Sequence, residues 1–220
     1  MNFQTRQAIP WIAPMLLFVA LNVLEGKVPS GLYPVAYCAK IILVLLCLVI
    51  SWKSWRGMLA LNARTIGVGL IAGFIGLVAW LAFDLIPYPK FGSRIGFNPF
   101  AEIQNLGLRS SWITARLVGL ALVVPLIEEV FWRGFLGRYV DNADDFTRLT
   151  IGNHSVLSTA IVCTIFASIH PEWLAAVVYA LLTDQVLRRT KSLGACVVMH
   201  ATTNALLGVY VLKAGAWHLW

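Results

Sequence analysis

The stretch WITARLVGLALVVPLIEEVFWRGFLGRY, Trp112 to Tyr139, is apolar enough to cross a bilayer, yet it carries Glu128, Glu129 and Arg133. A hydrocarbon core about 30 Å thick asks for about 20 mostly apolar residues in a helix, and this run exceeds that. On insertion scales each ionised group near a helix centre costs about 2.5–3.5 kcal/mol, so the three together cost roughly 8–10 kcal/mol before any partner offsets them. Charge retained against such a penalty points to function.

Composition agrees about the solvent. Of 220 residues 59% are hydrophobic and only 12% charged, with a mean hydropathy of +0.77, which describes a chain dissolved in lipid. The expected fold is all-α, a polytopic transmembrane helix bundle of about seven spans, within a range of six to eight. It is read as a single membrane domain over 1–220 with no separate soluble domain. Candidate spans run near Pro10–Leu24, Pro34–Trp52, Ile66–Ile86, Trp112–Tyr139, Ser155–Ile169, Glu172–Leu187 and Leu193–Leu212. The stretch Pro87 to Ser111 is too polar to span; it mixes Phe91, Ile95, Phe97 and Phe100 with Lys90, Arg94 and Arg109, as suits an interfacial segment or a cap over a cavity. The first apolar run is followed by no small-x-small cleavage site and is expected to stay as a helix.

The net charge of +7 would suit a nucleic-acid partner, but the basic residues fall between apolar runs, so none is expected. Membrane orientation accounts for them instead. With the amino terminus cytoplasmic, that side collects Arg6, Lys53, Arg56, Arg64, Arg138, Arg148, Arg188, Arg189 and Lys191, against Lys27, Lys90, Arg94, Arg109 and Lys213 opposite. Cys38, Cys47, Cys163 and Cys196 lie in apolar stretches without C-x-x-C spacing, which indicates neither a disulfide framework nor a thiolate zinc site.

Polar residues in the later spans recur at helical spacing. Glu129 and Arg133 are four apart and share a face, so the arginine can pair with that carboxylate, while Glu128 points elsewhere. Pro125, one turn earlier, removes a backbone hydrogen bond and loosens the helix just before the glutamates. Phe166 and His170 are four apart at the end of the next span, and His200 and Asn204 are four apart on the last. Three spans thus each offer a pair that can converge on one interior cavity.

The ordered set Glu-Glu-x-x-x-Arg at 128–133, Phe-x-x-x-His at 166–170 and His-x-x-x-Asn at 200–204 resembles the CPBP family of intramembrane proteases. That family includes the type II CAAX prenyl endopeptidases and bacterial relatives linked to bacteriocin processing and immunity. The likeness covers roughly Pro125 to Leu212, so 112–212 is read as a catalytic core. Residues 1–111 carry no matching motif. Asp184, inside the sixth span, departs from the family pattern and is read as a polar contact to the cavity or to the basic loop after it.

The resemblance implies an intramembrane endopeptidase acting on a membrane-embedded or lipid-modified peptide, prenylated CAAX-like tails among them, in a bacterial cytoplasmic membrane. Hydrolysis without a covalent intermediate needs an activated water, a proton acceptor and donors aimed at the oxyanion. Glu128 is the candidate base and His170 helps hold the water. Glu129 is braced by Arg133, and His200 and Asn204 stabilise the tetrahedral intermediate. Zinc is a candidate cofactor, with Glu128, His170 and His200 acceptable as ligands. Metal-dependent and metal-free glutamate chemistry both fit, and the spacing does not choose, since there is no His-Glu-x-x-His.

Duller readings stand beside these. Glu129 with Arg133 can be a purely structural ion pair. His200 with Asn204 can tie helices together. His170, preceding Pro171, can cap a helix end, and Phe166 reads as packing. His154 and His218 lie outside the spans and are read as solvated. A nucleophilic Cys163 or Cys196 would leave the buried glutamates unexplained. A non-catalytic scaffold or bacteriocin-immunity protein that keeps the polar cavity is the alternative from another class. A transporter finds no inverted repeat to support it. In a seven-span count His170 and His200 enter from opposite sides, so they meet only if the short fifth and sixth helices turn below the membrane surface.

Overall fold

The computed structural model describes residues 3–92 and 96–220. Arg94 and Ile95, counted above, lie outside the described residues, as does the side chain of Arg6. Seven helices build the bundle: α1 Phe3–Glu25, α2 Tyr33–Trp55, α3 Ala63–Asp84, α4 Leu106–Asp141, α5 Val156–Ser168, α6 Trp173–Thr190 and α7 Leu193–Ala214. They fall on the seven expected stretches, and no strand occurs among the described residues.

Five of them, α1 to α4 and α7, are long and apolar enough to cross a membrane. The two exceptions matter for the site. Helix α5 has 13 residues and rises only about 20 Å, short of the hydrocarbon thickness. Helix α6 carries Asp184, Arg188 and Arg189. The outward faces of the long helices are apolar, with Ile42, Leu46, Val49 and Ile50 of α2 and Leu70, Ile71, Phe74 and Val78 of α3 all exposed. Apolar surface of that extent needs acyl chains around it, so the chain is an integral membrane protein.

Local sequence starts and stops the helices. Asn62 caps α3 by accepting the Thr65 N–H at 2.9 Å, Ser155 caps α5 by accepting that of Ser158 at 3.0 Å, and Ser192 caps α7 through Ala195 at 3.2 Å. Lys191 (φ 51°) and Gly215 (φ 67°) end α6 and α7 in left-handed conformation. Helix α3 packs on α7 along Gly69, Gly73 and Gly76, a small-residue stripe. A Cβ at Gly73 would lie 2.6 Å from the Met199 carbonyl, so only glycine allows this approach. Thr203 Oγ1 donates to the Gly73 carbonyl at 2.8 Å across the same seam.

Helix α4 contains two widened, π-helical turns, Gly119–Val123 and Val130–Leu136, which bracket Pro125, Glu128 and Glu129. The Val124 N–H reaches back five residues to the Gly119 carbonyl, and Pro125 has no N–H. The Leu120 carbonyl therefore lacks both of the donors a helix would normally offer it, and such a group must find another partner. Asn204 Nδ2 of α7 donates to it at 2.9 Å.

One expectation is corrected. His154 is buried, not solvated, because its ring pairs with Asp184 of α6. Of the two contacts expected for Asp184, the one to the basic residues after it is found: it also accepts from Arg188 Nε at 2.7 Å and does not line the large cavity. Arg138, counted on the cytoplasmic side, is only 1% exposed; it donates to the Leu149 and Gly134 carbonyls, each at 3.0 Å, and lies against the rings of Trp11 and Phe146. Its guanidinium ties the loop after α4 to the bundle. His218 is exposed as expected but touches Asp84 at 2.9 Å.

Candidate active site

A cavity of about 530 Å³ opens between the helices, and Glu128 of α4, Phe166 of α5, His170 of the α5–α6 turn, and His200 and Asn204 of α7 all line it. The side chains singled out in three separate stretches thus share one space. His170 follows the short α5, whose 13 residues are too few to cross a bilayer.

Glu129 and Arg133 do not line the cavity; they stand behind it. Glu129 is fully buried, and its Oε1 accepts from Arg133 Nη1 at 3.3 Å and lies 2.9 Å from His200 Nδ1. With Arg133 four residues on, Glu129 is a carboxylate, which only accepts, so His200 carries its proton on Nδ1 and turns Nε2 away from this contact. Asn204 hangs from Leu120, as described, with one of its two amide hydrogens still available.

His170 Nδ1 donates to the Phe166 carbonyl at 2.7 Å, so in a neutral ring Nε2 is the accepting nitrogen. The Phe166 ring lies 4.4 Å from that of His170, and the Arg133 guanidinium sits 5.2 Å from the Phe166 centroid. Phe166 therefore separates and positions both, which is more than filling space. Cys163 and Cys196 are buried away from the cavity, and the Cys196 thiol donates to the Thr183 carbonyl at 3.7 Å.

Among the described residues no three His, Cys, Asp or Glu side chains gather as a metal-holding group, and Glu128, His170 and His200 line the cavity without forming such a cluster.

Residues 110–206 match the family model described as type II CAAX prenyl endopeptidase Rce1-like. This segment is Rce1-like. It runs from the start of α4 through Asn204 and holds all three polar pairs, whereas α1 to α3 lie outside the match. No curated protein and no solved structure matches the chain. The Rce1-like match and the apolar helices together support an intramembrane endopeptidase in general terms.

Several residues around the Rce1-like pairs escaped sequence reasoning. Tyr179 of α6 meets the His200 ring edge-on at 5.5 Å and its hydroxyl donates to Thr203 Oγ1 at 3.3 Å. Trp80 of α3 meets both His170 and Tyr179 edge-on, at 5.9 and 6.0 Å. No spacing marks either one. Lys40 of α2 and Arg116 of α4 also line the cavity, and for these the signal was present: each is a charge inside an apolar run.

Proposed function

We propose that the chain is an intramembrane endopeptidase that cleaves a lipid-attached or hydrophobic peptide, prenylated tails included, by attack of water. The observation that carries the reading is one cavity lined by Glu128, His170, His200 and Asn204, the last three each held by its own hydrogen bond.

Water between Glu128 and His170 gives one hydrogen to the carboxylate as its oxygen bonds to the scissile carbonyl carbon, while its other hydrogen rests on His170 Nε2. The carbonyl oxygen becomes an oxyanion. When its ring carries a proton on both nitrogens, His200 donates to it through Nε2, and Glu129 stabilises that imidazolium. The remaining Asn204 amide hydrogen supplies a second donor. Glu128 then returns its proton to the departing amine as the C–N bond breaks. No step here calls on a metal ion.

The excess of Lys and Arg between alternate helices favours a cytoplasmic amino terminus, in a bacterial cytoplasmic membrane. The test is turnover of lipid-tailed and untailed peptides by protein reconstituted in lipid. Native protein is expected to cleave the tailed peptides, and Glu128→Gln, His170→Ala and His200→Ala are each expected to lose at least about 100-fold in kcat. Full cleavage by Glu128→Gln would overturn the reading.

A further inference from the structure

We propose that Trp80 of α3 is a positioning residue of the hydrolytic reaction, acting directly on the His170 ring and, through the Tyr179 ring, on that of His200. The inference deepens the endopeptidase reading and rests on it.

His170 follows α5 and His200 stands on α7, so no shared backbone element fixes one imidazole relative to the other. Each is tied at Nδ1, to the Phe166 carbonyl and to Glu129. A hydrogen bond at one nitrogen does not by itself fix the plane of a ring, since the χ2 well of an imidazole is broad. Neighbouring rings supply that restraint. The Phe166 ring lies 4.4 Å from that of His170 at an interplanar angle of 30°, and Trp80 meets the same imidazole at 5.9 Å and 75°. One neighbour nearly parallel and one nearly perpendicular resist rotation of the His170 plane. Trp80 in turn meets Tyr179 at 6.0 Å and 83°, and Tyr179 meets His200 at 5.5 Å and 65°. His170, Trp80, Tyr179 and His200 are thus a continuous chain of rings, and all four line the cavity.

Helix α3 is shaped to place this chain. Gly73, Gly76 and Trp80 share one of its faces, spaced three and four residues apart. A Cβ at Gly76 would lie 2.7 Å from the Tyr179 ring, so glycine admits that ring. The Tyr179 hydroxyl donates to Thr203 Oγ1 at 3.3 Å and Thr203 donates to the Gly73 carbonyl at 2.8 Å, which ties the Tyr179 ring to α7 and α3 together. Trp80 is buried and lies outside the Rce1-like segment, so a helix that carries none of the polar pairs acts on their geometry. In the proposed reaction His170 Nε2 holds the attacking water and His200 Nε2 meets the oxyanion of the same carbonyl. Both must be placed relative to one carbon, and a misplacement of about 1 Å costs on the order of 100-fold in rate.

The test combines kinetics with histidine ring spectra on protein reconstituted in lipid. Trp80→Leu is expected to lower kcat on a lipid-tailed peptide at least about tenfold, with KM and the thermal midpoint close to native, and Trp80→Phe, which keeps a ring, is expected to recover most of the loss. In a His170→Ala background the same Trp80→Leu change is expected to cost about threefold or less in single-turnover cleavage, because most of what Trp80 does passes through His170. Nitrogen-15 spectra of ring-labelled protein above neutral pH, assigned by replacing each of the four histidines in turn, are expected to show separate protonated and unprotonated His170 nitrogens in native protein and averaged ones in Trp80→Leu. A kcat loss as large in the His170→Ala background as in native protein, a loss carried by KM or by the thermal midpoint, or His170 signals that Trp80→Leu leaves unchanged overturns the inference. Absence of cleavage by native protein tells against the endopeptidase reading, while the ring spectra still decide whether Trp80 holds His170.

Discussion

Glu128 and Glu129 are neighbours in sequence with different surroundings, and the difference follows from side-chain direction on one helix. Glu129 faces Arg133 and His200 and is closed off from the cavity, whereas Glu128 faces the cavity. Glu129→Ala leaves the Arg133 guanidinium, itself 4% exposed, buried without its counter-charge. That substitution is expected to destabilise the protein by about 3–5 kcal/mol, read as a lower thermal midpoint in detergent. Glu128→Gln is expected to keep the native midpoint while losing turnover. Equal loss of stability in both variants would show that the two carboxylates share one structural duty.

At the scale of the element, Pro125 does more than bend α4. Its missing N–H, together with the Val124 N–H reaching to Gly119, frees the Leu120 carbonyl, and that carbonyl holds Asn204. A helix defect on one span thereby fixes a polar side chain on another. Pro125→Ala restores a donor able to close onto Leu120 and compete with Asn204. Its expected outcome is unchanged or higher thermal stability with turnover reduced at least about tenfold, since a misplaced oxyanion donor costs roughly that or more. A variant as active as native protein would remove Asn204's anchor from the mechanism. Packing of α3 against α7 through Gly69 and Gly73 acts at the same scale, setting how closely the helix that carries His200 and Asn204 approaches its neighbour.

For the whole molecule, orientation decides which side substrates come from. Lys27 and Arg56 are exposed on successive loops, after α1 and after α2. In a chain whose four cysteines are replaced by alanine, Lys27→Cys is expected to react with a membrane-impermeant thiol reagent on intact cells, and Arg56→Cys only after permeabilisation. The reverse pattern would place the amino terminus outside. The sequence alone determined the solvent, the seven helical stretches and the three polar pairs, because apolar run length and four-residue spacing are local properties. The same local test marks Lys40 and Arg116 as charges within apolar runs, but their shared ring, Tyr37, lies on one helix and Arg116 on another, so only packing made them a pair. His154 looked solvated because it sits in a loop; its partner Asp184 is thirty residues away. Tertiary structure decided the rest: that Glu129 braces His200, that Asn204 hangs from Leu120, and that His170, after a helix too short to cross the bilayer, lines the same cavity as His200 and Asn204. Each of these joins residues distant in sequence, and such contacts exist only once the helices have packed.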